Sequence, residues 1–246
     1  GGGRMRTLTR TTGALLLVNA AHSMVTSASP DLVCVDPRWP EVQLERRAAG
    51  FLNACIRAVG GEKDIVPVSG WRSQEEQQAI WDDTLVKEGE AFTRQYVALP
   101  RCSEHQTGLA IDLGLASEEI DVIRPNFPYS GVCAAFRKQA ADYGFILRYP
   151  AGKEAVTGIA YEPWHFRYVG VPHARFMAEQ GIVLEEYMEI LRRDYSQRPL
   201  TVCAASHMFH IWYCNEAVRE DLLSELGSYC QVSEDNCGGF VVTTWR

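Results

Sequence analysis

Ser103-Glu104-His105-Gln106-Thr107-Gly108-Leu109-Ala110-Ile111-Asp112 decides how this chain is read, and Glu162-Pro163-Trp164-His165 completes the pattern. A catalytic zinc takes three protein ligands and keeps its fourth position open, whereas a structural zinc closes all four. His105, Asp112 and His165 offer two imidazoles and one carboxylate for that purpose. Glu162, three residues before the last histidine, is left over where it could reach a metal-bound water. The pattern points to metal-assisted hydrolysis.

The local sequence supports this geometry. Gly108 lets the backbone bend between His105 and a strand over 109–113. On that strand Asp112 shares a face with Ala110 and Gly114, which are small enough to leave room for an ion. A carboxylate in an otherwise apolar strand is costly unless it is paired or coordinated. Glu162 and His165 would face opposite sides of a plain strand, but Pro163 favours a turn that aims both into one cleft. Taken alone, each group also admits a plainer role: Asp112 as a turn cap, Glu162 and His165 as a surface pair. The HExxH signature of helical zinc sites is absent.

Arg72, in Trp71-Arg72-Ser73, stands at the start of a helix, where a guanidinium can hold a carboxylate or a developing oxyanion. A solvated surface arginine is the alternative. His22 and His173 read as surface residues. Cys203, His207, His210 and Cys214 make no second zinc site in this reading, because His207 and His210 face opposite sides of a strand.

The 246 residues suffice for one sizeable core plus a small module. The net charge of −7, with no Lys/Arg cluster, argues against a nucleic-acid partner. No apolar run is long enough to span a bilayer. Gly1 to Arg4 precede the first methionine, Met5, and read as a non-native leader. Basic residues before Ala14–Ala21 imitate a signal peptide, but the apolar stretch stops at Asn19 and reads as a buried first strand over 15–18. Eight scattered cysteines in a chain of this size read as cytosolic thiols, with a Cys230–Cys237 hairpin disulfide as the alternative.

Periodicity places helices over 41–59, from Ser73 to about Glu88, and over 132–143, 174–180 and 184–191. Ser73 with Glu76 forms a capping box. Strands fall at 65–68, 109–113, 145–149 and 164–169. The order lacks a regular strand–helix–strand rhythm, so the expected class is α+β, a central antiparallel sheet with flanking helices holding a zinc cleft. Arg192–Pro199 reads as a linker between a catalytic domain over 5–191 and a small C-terminal βαβ module over 200–246. That module has strands at 207–213 and 240–245 around a helix at 217–226.

These segments together resemble the zinc D,D-peptidases of the VanX, VanY and VanXY type. The matching pieces are Ser69-Gly70-Trp71-Arg72-Ser73 with Glu76 and Gln77, the Ser103–Asp112 stretch, and a block from Tyr143 to Gly170 containing Tyr161-Glu162-Pro163-Trp164-His165. The resemblance implies one Zn²⁺ on His105, Asp112 and His165, Glu162 as base and acid, and Arg72 on the carbonyl's developing charge. It also places Ser103, Gln77 and Trp164 beside the dipeptide end. The implied partner is a small peptide ending in D-Ala-D-Ala, and the implied outcome is resistance to vancomycin-type glycopeptides. With no anchor segment and motifs nearer VanY than VanX, the chain resembles the bifunctional VanXY enzymes and is expected in the cytoplasm. The rival readings are an L,D-carboxypeptidase or peptidoglycan endopeptidase using the same zinc machinery, and a non-catalytic wall-fragment binder. The tail beyond Pro199 is left to packing, homodimer formation or shaping of the substrate edge, and 86–100 reads as a loop closing over the cleft.

Overall fold

The computed structural model describes residues 13–24, 30–117, 119–215 and 229–246. The first elements are β1 (Leu32–Cys34) and β2 (Gln43–Glu45), an antiparallel ribbon that leads into α1 (Arg46–Ala58). The helix therefore begins five residues later than its periodicity implies. Val42 and Leu44 belong to the ribbon, and the Glu45 carboxylate caps α1 by accepting from the N–H groups of Arg47 and Ala48.

Next come β3 (Ile65–Ser69), α2 (Gln74–Glu88) and α3 (Glu90–Tyr96). Ser73 caps α2, its hydroxyl accepting from the Glu76 N–H. The segment expected as a loop at 86–100 is thus largely helical, with α3 packed on α2. β4 (Ala110–Leu115), α4 (Gly131–Gln139), β5 (Phe145–Leu147), α5 (Glu154–Thr157) and β6 (His165–Tyr168) follow. The strands assemble in the order β3-β4-β6-β5, antiparallel throughout.

Strand alternation decides what each face of this sheet does. Ile111, Leu113 and Phe166 turn to one side and join Ala48, Leu52 and Cys55 of α1 and Cys133 and Phe136 of α4 in the main core. Each fully buried Leu, Ile or Phe here is worth about 1.5–3 kcal/mol relative to exposure. Ala110, Asp112, His165 and Arg167 turn to the other side, also buried.

α6 (Val171–Gln180) and α7 (Leu184–Asp194) lead to the C-terminal module, and α7 takes in the start of the segment read as a linker. The module is a four-stranded antiparallel sheet of β7 (Leu200–Ala204), β8 (His207–Cys214), β9 (Tyr229–Glu234) and β10 (Phe240–Trp245), ordered β7-β8-β10-β9. It therefore holds two strands beyond those expected, and the helix read at 217–226 lies outside the described residues. β7 escaped notice because its turn into β8 uses Ala205 and Ser206 at positive φ, where glycine or asparagine is the usual signal.

A second core joins the module to the rest: Leu184, Tyr187 and Leu191 of α7 pack with Leu200, Val202, Ile211 and Val241. Leu15 and Leu17 belong to this core, but the segment around them is not a strand. Its backbone bonds go elsewhere. The N–H of Leu15 donates to the Ser233 hydroxyl, that of Leu17 to the Asp235 carbonyl, and Arg167 donates to the carbonyls of Ala14 and Leu16. All eight cysteines are free thiols. No helix among the described residues is long and apolar enough to cross a membrane.

His173 is a correction to the surface reading. It is 5% exposed, its Nδ1 lies 2.6 Å from the Tyr187 hydroxyl, and its Nε2 lies 3.1 Å from the Thr243 hydroxyl. It ties α6 to α7 and to the C-terminal sheet. Burial pushes its pKa down to about 3 from the ordinary 6.5. Between those values the unfolded chain binds a proton that the folded one does not. Stability from this group is therefore complete above pH 6.5 and is lost as pH falls toward 3, by at most about 1.4 kcal/mol per pH unit. His173→Asn is expected to show a shallower loss of urea stability over that window than the parent. Parallel pH profiles for the two proteins would contradict the assignment.

Candidate metal centre and active-site cleft

Three elements converge on one point behind the central sheet. Asp112 on β4 stands directly opposite His165 on β6 in the antiparallel register. His105 sits on a 3₁₀ turn (Glu104–Thr107) just before β4, and Gly108 ends that turn in the left-handed conformation at φ 76°. A side chain at Gly108 would press on Pro30 and Leu32 as well as strain the backbone. The ligand atoms of His105, Asp112 and His165 all lie within 4.8 Å of one another, and all three residues are buried. Among the described residues no other His/Cys/Asp/Glu group has metal-binding spacing.

The hydrogen bonds of the two imidazoles show which nitrogen of each faces Asp112. His105 Nδ1 lies 2.8 Å from the Gly70 carbonyl, which can only accept, so the proton sits there and Nε2 faces Asp112 Oδ2 at 3.4 Å. His165 Nε2 lies 2.8 Å from Glu104 Oε1, and Nδ1 faces Asp112 Oδ1 at 2.9 Å. Each inner nitrogen thus points at the carboxylate, and each outer N–H is held by an oxygen. Two imidazoles so oriented plus one carboxylate form a donor set that suits zinc. Burial works against the Asp112 carboxylate, and its bonds to His105 and His165 outweigh that, so its pKa falls below the usual range.

Glu162 enters from the turn before β6. The His165 N–H bonds back to the Glu162 carbonyl at 3.3 Å, closing a turn through Pro163 and Trp164. The Glu162 carboxylate then lies 3.7 Å from His165 Nδ1, on the same side as the other three groups. Arg137 braces this turn by donating to the Pro163 carbonyl at 2.8 Å. Burial raises the Glu162 pKa well above the ordinary value, with Asp112 adding to the rise and His165 and Arg72 opposing it. A carboxyl so placed can hold a proton as well as release one.

Arg72 is buried rather than a solvated surface residue, at 9% exposure. Its Nη2 reaches Asp112 Oδ2 at 3.5 Å, its Nε donates to Ser69 at 2.9 Å, and its Nη1 donates to Gln77 at 3.2 Å. Gln77 spends its other end on the Ala98 carbonyl, at 2.8 Å, so both its polar atoms are engaged in holding Arg72 and the wall. Ser103 and Trp164 line the same cleft with Tyr96, Ala98 and Tyr149.

One group went unread in the sequence. Glu104, 1% exposed, accepts from His165 on Oε1 and from Arg148 and Arg167 on Oε2 at 2.9 and 3.0 Å. Arg148 in turn forms a two-pronged pair with Glu185 of α7 at 2.7 and 2.8 Å. The available signal was a pair of arginines set between apolar and aromatic neighbours, Leu147-Arg148-Tyr149 and Phe166-Arg167-Tyr168. Such charges require a buried carboxylate.

The chain is similar to several known proteins. The family model of VanY, D-alanyl-D-alanine carboxypeptidase, matches residues 42–171. The bifunctional D-Ala-D-Ala dipeptidase and carboxypeptidase VanXYC of Enterococcus gallinarum is 44% identical over 185 residues, covering 74% of this chain and 97% of that protein. The crystal structure of the vancomycin resistance D,D-dipeptidase VanXYg, in complex with a D-Ala-D-Ala phosphinate analogue, superposes with a TM-score of 0.91. It is 43% identical and covers 99% of this chain and 100% of its own. A D,D-pentapeptidase VanY from a VanB-type cassette, in complex with Zn(II), is 29% identical with a TM-score of 0.61, covering 71% of this chain and 98% of its own. On the family match and the identity to VanXYC, this chain belongs to the VanY family of D-alanyl-D-alanine carboxypeptidases.

Proposed function

We propose that this protein is a zinc D,D-peptidase that hydrolyses the D-Ala-D-Ala dipeptide and removes the terminal D-Ala from peptidoglycan pentapeptide precursors, so lowering sensitivity to vancomycin-type glycopeptides. The observation that carries the reading is the convergence of His105, Asp112 and His165 on one point with Glu162 unspent beside them. A single zinc ion would be held by His105 Nε2, the Asp112 carboxylate and His165 Nδ1. When bound, zinc supplies a Lewis acid that polarises the scissile carbonyl and acidifies water. Glu162 takes the proton of the attacking water and returns it to the leaving amine. Arg72, braced by Gln77 and Ser69, donates to the oxygen on which charge develops, a type of contact worth about a hundred- to a thousandfold in rate. Ser103 and Trp164 bound the space for the terminal D-Ala. In this reading residues 5–191 form the catalytic domain, 200–246 a module that shapes and supports it, and the enzyme works in the cytoplasm on precursors before export.

An L,D-carboxypeptidase is the second reading, favoured by likeness to the LD-carboxypeptidase LdcB at 34% identity and a TM-score of 0.59. That likeness covers 72% of this chain, whereas the likeness to VanXYg covers 99%. The D,D reading accounts for more of the molecule.

Mass spectrometry of reactions with D-Ala-D-Ala, a pentapeptide stem and a tetrapeptide stem separates the two. The expected result is cleavage of the first two with the tetrapeptide intact; cleavage of the tetrapeptide alone would overturn the D,D reading. Glu162→Ala is expected to retain stoichiometric zinc and lose turnover on both D,D substrates. Hydrolysis by that variant near the parent rate would remove Glu162 from the mechanism.

A further inference from the structure

We infer that Glu104 is a positioning residue that sets the protonation pattern of His165, and that it does so because Arg148 and Arg167 hold its far oxygen. The inference rests on the zinc reading above and extends it to a residue outside the ligand set.

The division of labour within the carboxylate is explicit. Oε2 receives two donors, Arg148 Nε at 2.9 Å and Arg167 Nη1 at 3.0 Å. Oε1 is left for His165 Nε2 at 2.8 Å. A guanidinium has donors and no acceptors. Oε2 must therefore remain an acceptor, and the carboxylate cannot rotate away, since both arginines are fully buried and fixed at their other ends. Arg148 is clasped by Glu185, and Arg167 by the carbonyls of Ala14 and Leu16. Between two guanidinium cations the carboxyl stays ionised, so Oε1 also accepts and His165 Nε2 donates to it. Nδ1, which here donates to Asp112 at 2.9 Å and stands 3.7 Å from Glu162, is then the nitrogen that gives up its proton to take a metal.

The charges also close. Glu104 and Glu185 balance Arg148 and Arg167, so the quartet adds no net charge behind the metal site. Glu185 stands at the first turn of α7, and the Ala14–Leu16 segment is bonded to the C-terminal sheet. Elements far along the chain thus converge on the orientation of a single imidazole.

This arrangement makes an isosteric change informative. In Glu104→Gln the two arginines claim the introduced carbonyl oxygen, because the amide nitrogen cannot accept from them. The NH₂ is then turned toward His165 Nε2, which must present its lone pair, and the proton moves to Nδ1, where the metal has to bind. Shape is kept and the hydrogen-bond polarity is reversed. Glu185→Gln serves as the control, since it removes the same charge from the same quartet without touching His165.

Zinc affinity measured by competition with a chromophoric chelator tests this. The parent is expected to bind one zinc, Glu104→Gln to bind it about ten- to a hundredfold more weakly, and Glu185→Gln to stay close to the parent. Glu104→Gln binding zinc within twofold of the parent overturns the inference while leaving the zinc reading intact. Equal loss in both variants also overturns it, by making the effect one of charge alone. A parent that binds no zinc removes the functional reading and this inference together. Should Glu104→Gln fail to fold, ¹⁵N-resolved NMR of the zinc-loaded parent decides: a proton on His165 Nε2 and none on Nδ1 is expected, and the reverse pattern contradicts the inference.

Discussion

The pairing of Asp112 with His165 across β4 and β6 is the contact on which this molecule's organisation depends. It puts a carboxylate and an imidazole on the face of the sheet turned away from the main core, and that face is buried too. Desolvating either group without a partner would be strongly unfavourable. Every neighbouring feature can be understood as satisfying one of them. Arg72 reaches the outer oxygen of Asp112, His105 is turned in by the Gly70 carbonyl, and Glu104 takes the far side of His165. Alternation along β4 does the sorting, with Ile111 and Leu113 consigned to the core and Ala110 and Asp112 to the cleft.

Around this pair the structure is layered by charge. The ligand groups face one another, Arg72 and Glu162 flank them, and the Glu104–Arg148–Arg167–Glu185 quartet closes the back. The quartet draws on residues before β4, after β5, within β6 and at the start of α7, while Arg167 also secures the Ala14–Leu16 backbone. The second apolar core then fastens α7 and the N-terminal segment to the C-terminal sheet. The module beyond residue 200 is coupled to the site through shared packing, although none of its described residues lines the cleft.

Much of this was legible in the sequence, for physical reasons. Asp112 in an apolar strand, Pro163 between Glu162 and His165, and Ser73 ahead of a long helix each carry a local cost or bond that points to one arrangement. Other features leave no local trace. Val42 and Leu44 fit helical spacing as well as strand alternation, and only pairing with β1 decides. The Ala205-Ser206 turn lacks the residues that mark hairpins. His173 looks like any polar residue until α7 and β10 close over it. Glu104 hides beside a more conspicuous histidine, and its meaning comes from Arg148 and Arg167, forty or more positions away. Long-range satisfaction of buried charge is what single-sequence patterning conveys least well.

How the metal is held decides the chemistry of this site. A crystal structure of the zinc-loaded protein, with anomalous scattering at the zinc edge, measures this directly. The expected result is one zinc bound through His105 Nε2, Asp112 and His165 Nδ1, with Glu162 near the ion but not ligating it. Zinc bound elsewhere, or closed off by a fourth protein ligand, would contradict the account.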